Sequence, residues 1–417
     1  MACPRLGPRV ANVEGKSPAS KTDFAMRELG ILGAREETFP MSFPRTSRAA
    51  VVAEYGKPIE IRELPVPQEA ELEPGALLVR VDVASICGSD VHQWSGMVQA
   101  LVPSSLPCIL GHEMMGTVVA FGPGPREDSI GQPLAEGDRL LWTHVYCGQC
   151  HECRVLHMPT MCRRKKQYMR TNCERFPYLV GGFAQYCYVF PASGRVRIPE
   201  GVPDGVASAA SCALRTVIHA FERVGRIEPH QRVVIQGAGP LGLFATAMAN
   251  HSGVRELVVV GAPERRLALA QRWGATAVVS VEALPTAEER LARVRELTGG
   301  LGADVVFEMS GAPYAFAEGV DFLRPGGRYA VVGQLGGPLT PVQAALFVRK
   351  QVTILGVQSA DIGQFWKALD FVRRTSSRYD FEAMLTTRYP LDQINEAIQN
   401  MRSFREIKPL VLPWAGR

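Results

Sequence analysis

The chain has 417 residues, 46% hydrophobic and 21% charged; this length and balance predict two to three soluble globular domains and exclude wholesale disorder, collagen-like repeats and coiled coil. No run of 18 apolar residues occurs, and the first thirty residues mix charges with Gly and Pro, so neither a membrane span nor a signal peptide is expected and the chain reads as cytoplasmic. Of the formal charge of +5, residues 1–48 contribute +3 from eight Lys/Arg and five Asp/Glu, which leaves the other 369 residues at +2 and argues against nucleic acid as a partner.

Residues 1–48 have weak periodicity and scattered Gly and Pro, the pattern of a partly disordered extension. From Ala49 the sequence turns β-rich: AAVVAEY, PIEIRELPVP and GALLVRVDVASI, each bounded by Gly or Pro, then further short strands to VRIPEGV. This module, 49–213, carries the first chemistry. ICGSDVH places Cys87, Ser89, Asp90 and His92 together after an apolar strand, a density of polar groups that marks a site. His112 and Glu113 follow in GHEMMGTVV; a lone histidine there is more often structural, but its pairing with Cys87 favours a metal ligand.

Cys147, Cys150, Cys153 and Cys162 form C-x2-C-x2-C-x8-C, a spacing from which four thiolates reach the tetrahedral positions around one Zn2+ at little chain-closure cost. Disulfides are the weaker reading in a reducing compartment. Cys3, Cys108, Cys173 and Cys187 read as small buried hydrophobes. The run RRKKQYMR, residues 163–170, holds five basic residues; its plain reading is a solvated loop, and its functional reading is contact with an anionic hydroxyalkyl substrate.

Near residue 200 the character changes. ASAASCALRTVIHAFERVG reads as one amphipathic helix carrying Cys212. RVVIQGAGPLGLFATAMAN then gives a strand, Gly237, Gly239 and Gly242 as G-x-G-x-x-G, and a helix. In that context the glycines allow a tight turn and close backbone approach, and the helix N-terminus offers free N–H groups to a pyrophosphate. ELVVVG, ATAVVS, ADVVFEMSG, GRYAVVGQ and VTILGVQ alternate with helical stretches, which implies a parallel sheet covered on both faces, a doubly wound Rossmann domain over 214–357. Two more helices and the strand KPLVLP fill 358–417.

With Cys87, GHE, the four-cysteine lobe and GAGPLG in this order, the sequence resembles the zinc-containing medium-chain dehydrogenase/reductase family of alcohol dehydrogenases, from about Ala49 to the C-terminus. The resemblance implies an α/β fold: a GroES-like β-rich catalytic domain, a Rossmann domain, and a C-terminal segment returning to the first. It implies a catalytic Zn2+ on Cys87, His112 and Cys212 with one open position, beside the structural Zn2+ of the lobe. Glu113 is then either an alternative ligand or an acceptor behind the ligands. Asp90 orients His112, Ser89 and His92 form a proton relay, and Thr216, Gly237, Gly239, Pro240, Leu241 and Gly242 hold NAD(P). The implied activity is hydride transfer between a small-molecule alcohol or polyol and NAD(P), in a homodimer or homotetramer.

Two departures stand out. The last gap of the lobe is eight residues, one longer than usual, which leaves Cys173 as a distant rival to Cys162. At the end of the second Rossmann strand Gly261 stands where NAD-preferring members carry an acid; Arg265 and Arg266 follow and tilt the reading toward NADP, although Glu264 remains available to a ribose and a solvated helix face is the plain role of the arginines. The alternative to an enzyme is a noncatalytic dinucleotide-binding scaffold that keeps only the structural zinc. A zinc-independent reductase is disfavoured by the presence of the lobe.

Overall fold

The computed structural model describes residues 43–334, 336 and 339–416. The extension therefore lies outside the described residues up to its last six positions, and the first strand, Thr46–Val52, already begins within it. That strand pairs antiparallel with Glu60–Pro65 and Cys108–Ile109 in a three-stranded sheet. A larger GroES-like sheet is organised around Leu77–Ser85, which pairs with Met114–Phe121 on one edge. Its other edge is shared: Tyr186–Val189 pairs at Leu77–Arg80, and the C-terminal strand Lys408–Leu412 pairs at Ala84 and Ser85. The last strand thereby joins the larger sheet and carries Leu385–Pro390 on its far side.

The sheet of the second domain is entirely parallel, in the spatial order Ala277–Ser280, Glu256–Gly261, Arg232–Gln236, Ala303–Glu308, Leu323–Val331, Thr353–Gly356. Its central strands are apolar through their middles, Val233–Ile235 and Val305–Phe307, because helices cover both faces; every residue of Ala303–Glu308 is buried. The strand order reverses between Arg232–Gln236 and Ala303–Glu308, which opens a crevice at their carboxyl ends. Gly237 leaves one strand into this crevice and Met309 leaves the other, joined by the Met309 N–H donated to Gln236 O (2.8 Å).

The larger GroES-like sheet and the parallel sheet meet along the helical stretch Asp204–Val224. One hydrophobic core joins Val83, Met115 and Leu141 of the former, through Ala207, Ala210 and Leu214, to Val233, Ile235 and Phe307 of the latter. A side chain on that seam faces both domains.

Candidate active site

Helix Gly88–Trp94 starts directly after strand Leu77–Ser85, with Cys87 as its N-cap. Asp90, in the first turn, accepts the Cys87 N–H on Oδ2 (2.9 Å) and the Gly111 N–H on Oδ1 (3.0 Å), and Oδ1 lies 3.3 Å from His112 Nδ1. One fully buried carboxylate fixes both segments and orients the imidazole. Gly111 makes the turn possible: its φ is +87°, and a Cβ there would meet Phe183 Cδ1 at 2.8 Å. Cys212 arrives differently. Where the sequence reads one helix, α-helices Asp204–Ala209 and Arg215–Val224 are joined by a π-helical turn, Ala210–Leu214, that carries this cysteine. Such insertions recur at functional sites because they redirect a side chain without ending the helix.

Donor atoms of Cys87, His112, Glu113 and Cys212 all lie within 4.8 Å of one another. A hydrogen bond from Cys212 pulls the Cys87 thiol well below the usual range and holds Cys212 above it. Burial opposes charge on His112, yet Asp90 and Cys87 outweigh it and hold its pKa up at about 10. The cluster therefore favours a cation. Glu113 is fully buried; its Oε2 accepts from Ser85 Oγ (2.5 Å) and pairs with the Lys408 ammonium, while Oε1 is buried with no partner among the described residues. Burial lifts Glu113 to about 7 against the pull of Lys408. Two cysteine sulfurs, an imidazole and an orphaned carboxylate oxygen form a donor set that suits Zn2+.

In the lobe, the sulfurs of Cys147, Cys150, Cys153 and Cys162 also lie within 4.8 Å of one another, with Cys150 Sγ 3.5 Å from Cys153 Sγ and 3.8 Å from Cys162 Sγ. Tetrahedral zinc with bonds of about 2.3 Å to sulfur has S···S edges of about 3.8 Å, so the spacing fits. Cys162 sits in this cluster; Cys173 instead donates its N–H to Pro107 O, buried beside the strand of Cys108. Cys108, Cys173 and Cys187 are all fully buried, and Cys3 lies outside the described residues.

A cavity of about 280 Å³ joins the first cluster to the crevice of the parallel sheet. Cys87, His112, Cys212, Ser89 and His92 line one part, and Thr216, Leu241, Met309, Ser310 and Gly333 another. No hydrogen bond links Ser89 to His92 among the described residues, and His92 Nδ1 is buried without a partner. At the glycine-rich turn, a Cβ on Gly242 would fall 1.8 Å from Gly237 O and one on Gly237 2.9 Å from Ser310 N. Nothing lies within 4 Å of a Cβ on Gly239, so space is open before the N-terminus of helix Pro240–His251, a cradle that suits a pyrophosphate. Glu308 shapes the facing loop, accepting N–H groups from Ser310, Gly311 and Gly333 at 2.7–2.9 Å.

Residues 73–200 match the alcohol dehydrogenase GroES-like domain family and residues 240–374 the zinc-binding dehydrogenase family. Over 372 residues the chain is 32% identical to 5-exo-hydroxycamphor dehydrogenase of Pseudomonas putida, spanning 88% of this chain and 98% of that one. The chain belongs to the zinc-containing medium-chain dehydrogenase/reductase family. It is a zinc-dependent, alcohol dehydrogenase-like oxidoreductase. L-threonine 3-dehydrogenase of Anaeromyxobacter dehalogenans is similar at 33% identity, over 84% of this chain and 94% of that protein. Among solved structures, an alcohol dehydrogenase of Thermotoga maritima superposes with a TM-score of 0.80 at 31% identity, covering 88% of this chain and 99% of that one.

Within this family member, Gly261 packs against the glycine-rich turn, where a Cβ would stand 3.0 Å from Ala238 N. Arg265 donates to Phe404 O (3.1 Å) and Arg405 O, and the buried Arg266 donates to Phe404 O (3.4 Å) and Glu406 O. Both guanidinium groups thus tie the Rossmann domain to the C-terminal segment. Lys408, Glu308, Arg215, His144 and Arg170 surround the site without having been singled out individually by the sequence. Only Arg170 had a signal, as the last member of the basic run.

Proposed function

We propose that the chain transfers hydride between a secondary alcohol and NAD(P), giving the ketone, with anionic hydroxyalkyl compounds among its substrates. The observation that carries this reading is the shared cavity: the Cys87, His112 and Cys212 donors open onto the same space as Thr216, Leu241 and the loop after Met309. The hydroxyls named in the two relatives, the 5-exo position of a camphor and the 3 position of threonine, are both secondary, which supports that class.

Cys87, His112 and Cys212 hold the catalytic Zn2+, with Glu113 Oε1 as a further donor, and the lobe holds a second. When bound, the metal supplies a Lewis acid that favours the alkoxide at neutral pH, and the nicotinamide supplies the hydride acceptor. Asp90 keeps His112 in its ligating orientation. Ser89 takes the alcohol proton and His92 passes it outward. The backbone of Gly237, Gly239 and Gly242, with Pro240 and Leu241, holds the pyrophosphate, and Thr216 borders the nicotinamide. Val98, Val102, Met169 and Val357 exclude water from the reacting carbon. The cofactor reading leans to NADP: Gly261 offers no ribose acceptor, and the exposed Arg265, although its Nη2 donates to the carbonyls of Phe404 and Arg405, keeps its other guanidinium nitrogens for a 2′-phosphate, whereas Arg266 is buried in the fold. The outer edge of strand Thr353–Gly356 has no partner strand among the described residues, and Ile354 on it is exposed, which supports assembly of two copies, or four, across this edge in the cytoplasm.

The test is absorbance of the reduced nicotinamide over a panel of alcohols and ketones with each cofactor, together with metal analysis. Two zinc ions per chain, turnover, and its loss in Cys87→Ala are expected. One zinc and a flat response across the panel would leave the scaffold alternative standing.

A further inference from the structure

Two guanidinium groups on the wall of the active-site cavity serve neither the metal donors nor the dinucleotide cradle. Arg215 follows Cys212 by three residues and is 3% exposed. Its Nε donates to Ser211 O, its Nη1 to Ser359 Oγ (2.9 Å) and Ala360 O (2.6 Å), and its Cζ lies 4.7 Å from the centre of the Phe365 ring. Those bonds account for the position of the side chain but not for Nη2, which has no hydrogen-bond partner among the described residues. Arg170 reaches the same cavity from the segment after the zinc lobe. Its Nη1 donates to Val102 O (2.5 Å), and its Nε is buried with no partner.

Neither guanidinium has a carboxylate within 4.0 Å among the described residues, and no Asp or Glu lines the cavity. Asp90, the nearby buried carboxylate, is spent on Cys87, Gly111 and His112. His144 adds no charge, since burial and then Arg215 hold it well below the usual histidine range. A cation without a counter-ion beside a largely enclosed cavity is costly, and unpaired guanidinium nitrogens of residues that line the cavity find their partner in what fills it.

We propose that the substrate is a hydroxyalkyl oxyanion, an alcohol bearing a carboxylate or phosphonate group, whose anion is bound by Arg170 and by Nη2 of Arg215 while its hydroxyl lies at Cys87, His112 and Cys212. The proposal rests on the dehydrogenase reading above and narrows its substrate class. Arg215 is pre-positioned by its backbone acceptors. Arg170, held by one bond, adjusts to the length of the ligand.

The experiment compares charged and neutralised forms of the same alcohols on the zinc-loaded enzyme: 3-hydroxybutyrate against its methyl ester, 2-hydroxypropylphosphonate against its dimethyl ester, and cyclohexanol as a neutral control. A charge-assisted pair of this kind favours the anion about 10- to 100-fold in kcat/KM. The carboxylate and phosphonate arms show which oxyanion is preferred. Arg170→Met should lower the anion-to-ester ratio about tenfold and Arg170→Lys should restore part of it. Esters turned over as well as their acids, turnover confined to neutral alcohols, or a ratio unmoved in Arg170→Met would each overturn the proposal. Absence of turnover with every compound, cyclohexanol included, would instead remove the dehydrogenase reading on which it rests.

Discussion

Replacing Lys408 with Met probes how the charge behind the metal donors is balanced. The Lys408 and Glu113 side chains form an ion pair at 1% and 0% exposure, and Met keeps most of the apolar stem while deleting the charge. Removing one partner of a buried pair costs about 3–5 kcal/mol, because the other charge is left without a counter-ion. Glu113 limits the loss by taking up a proton. Burial already lifts it to about 7 with Lys408 present, so in the variant it is neutral at pH 7 and keeps its Ser85 bond, and the loss settles near the lower figure, about 3 kcal/mol. The sign of the pH dependence follows from the same shift. A folded pKa of about 7 above an ordinary 4.5 means that the contribution of Glu113 is full below the lower value and is lost as pH rises through the upper one. Without Lys408 the folded pKa is higher still, so the variant must hold a proton over a wider range and falls further behind the wild type as pH rises from about 7 to 9. Adding Glu113→Gln removes the charge, and the double variant should recover about 2 kcal/mol relative to the sum of the single changes. Urea midpoints of the metal-stripped protein, followed by circular dichroism at several pH values, measure all three quantities. A Lys408→Met protein within about 0.5 kcal/mol of wild type at pH 8, or strict additivity in the cycle, would refute the reasoning.

Cys162→Ser should lower the zinc content from two to one per chain and reduce thermal stability, whereas Cys173→Ser should leave two; colorimetric zinc release on denaturation separates them, and equal losses would contradict the placement of Cys162 in the lobe. Gly237→Ala places a Cβ 2.9 Å from Ser310 N at a residue with φ of +114°. The dissociation constant for reduced cofactor, read from its fluorescence, should rise at least about tenfold with zinc content unchanged, and an unaltered constant would count against this turn as the pyrophosphate cradle.

What the sequence showed and what it hid separate along chain distance. The lobe cysteines and the glycine-rich turn are legible because their partners lie within sixteen and six residues of one another, so spacing alone encodes the geometry. Cys87 and His112 are readable because strands Leu77–Ser85 and Met114–Phe121 pair antiparallel, which brings neighbours in sequence together. Lys408 carries no such signal. It reaches Glu113 only because the last strand aligns Leu410 with Ser85, a register set by the folded sheet. The π turn at Cys212 is hidden for another reason: one extra residue in an apolar helix leaves the hydrophobic pattern nearly unchanged. Arg265 and Arg266 have the residue type of phosphate ligands, but the acceptors that they meet, the carbonyls of 404–406, are backbone atoms, which composition does not reveal.

The pairing of Lys408–Leu412 into the larger sheet also sets the order in which the protein is built. Cys87, His112, Glu113 and Cys212 are all synthesised in the first 212 residues, yet the cation that balances Glu113 is made nearly two hundred residues later. A nascent chain that has already formed its zinc lobe and most of its parallel sheet therefore still has an incomplete catalytic sheet. Completion of the reactive centre waits for strand Lys408–Leu412 to be made and paired, and a chain cut before that strand would leave the nucleotide-binding half folded beside a centre that lacks its balancing charge.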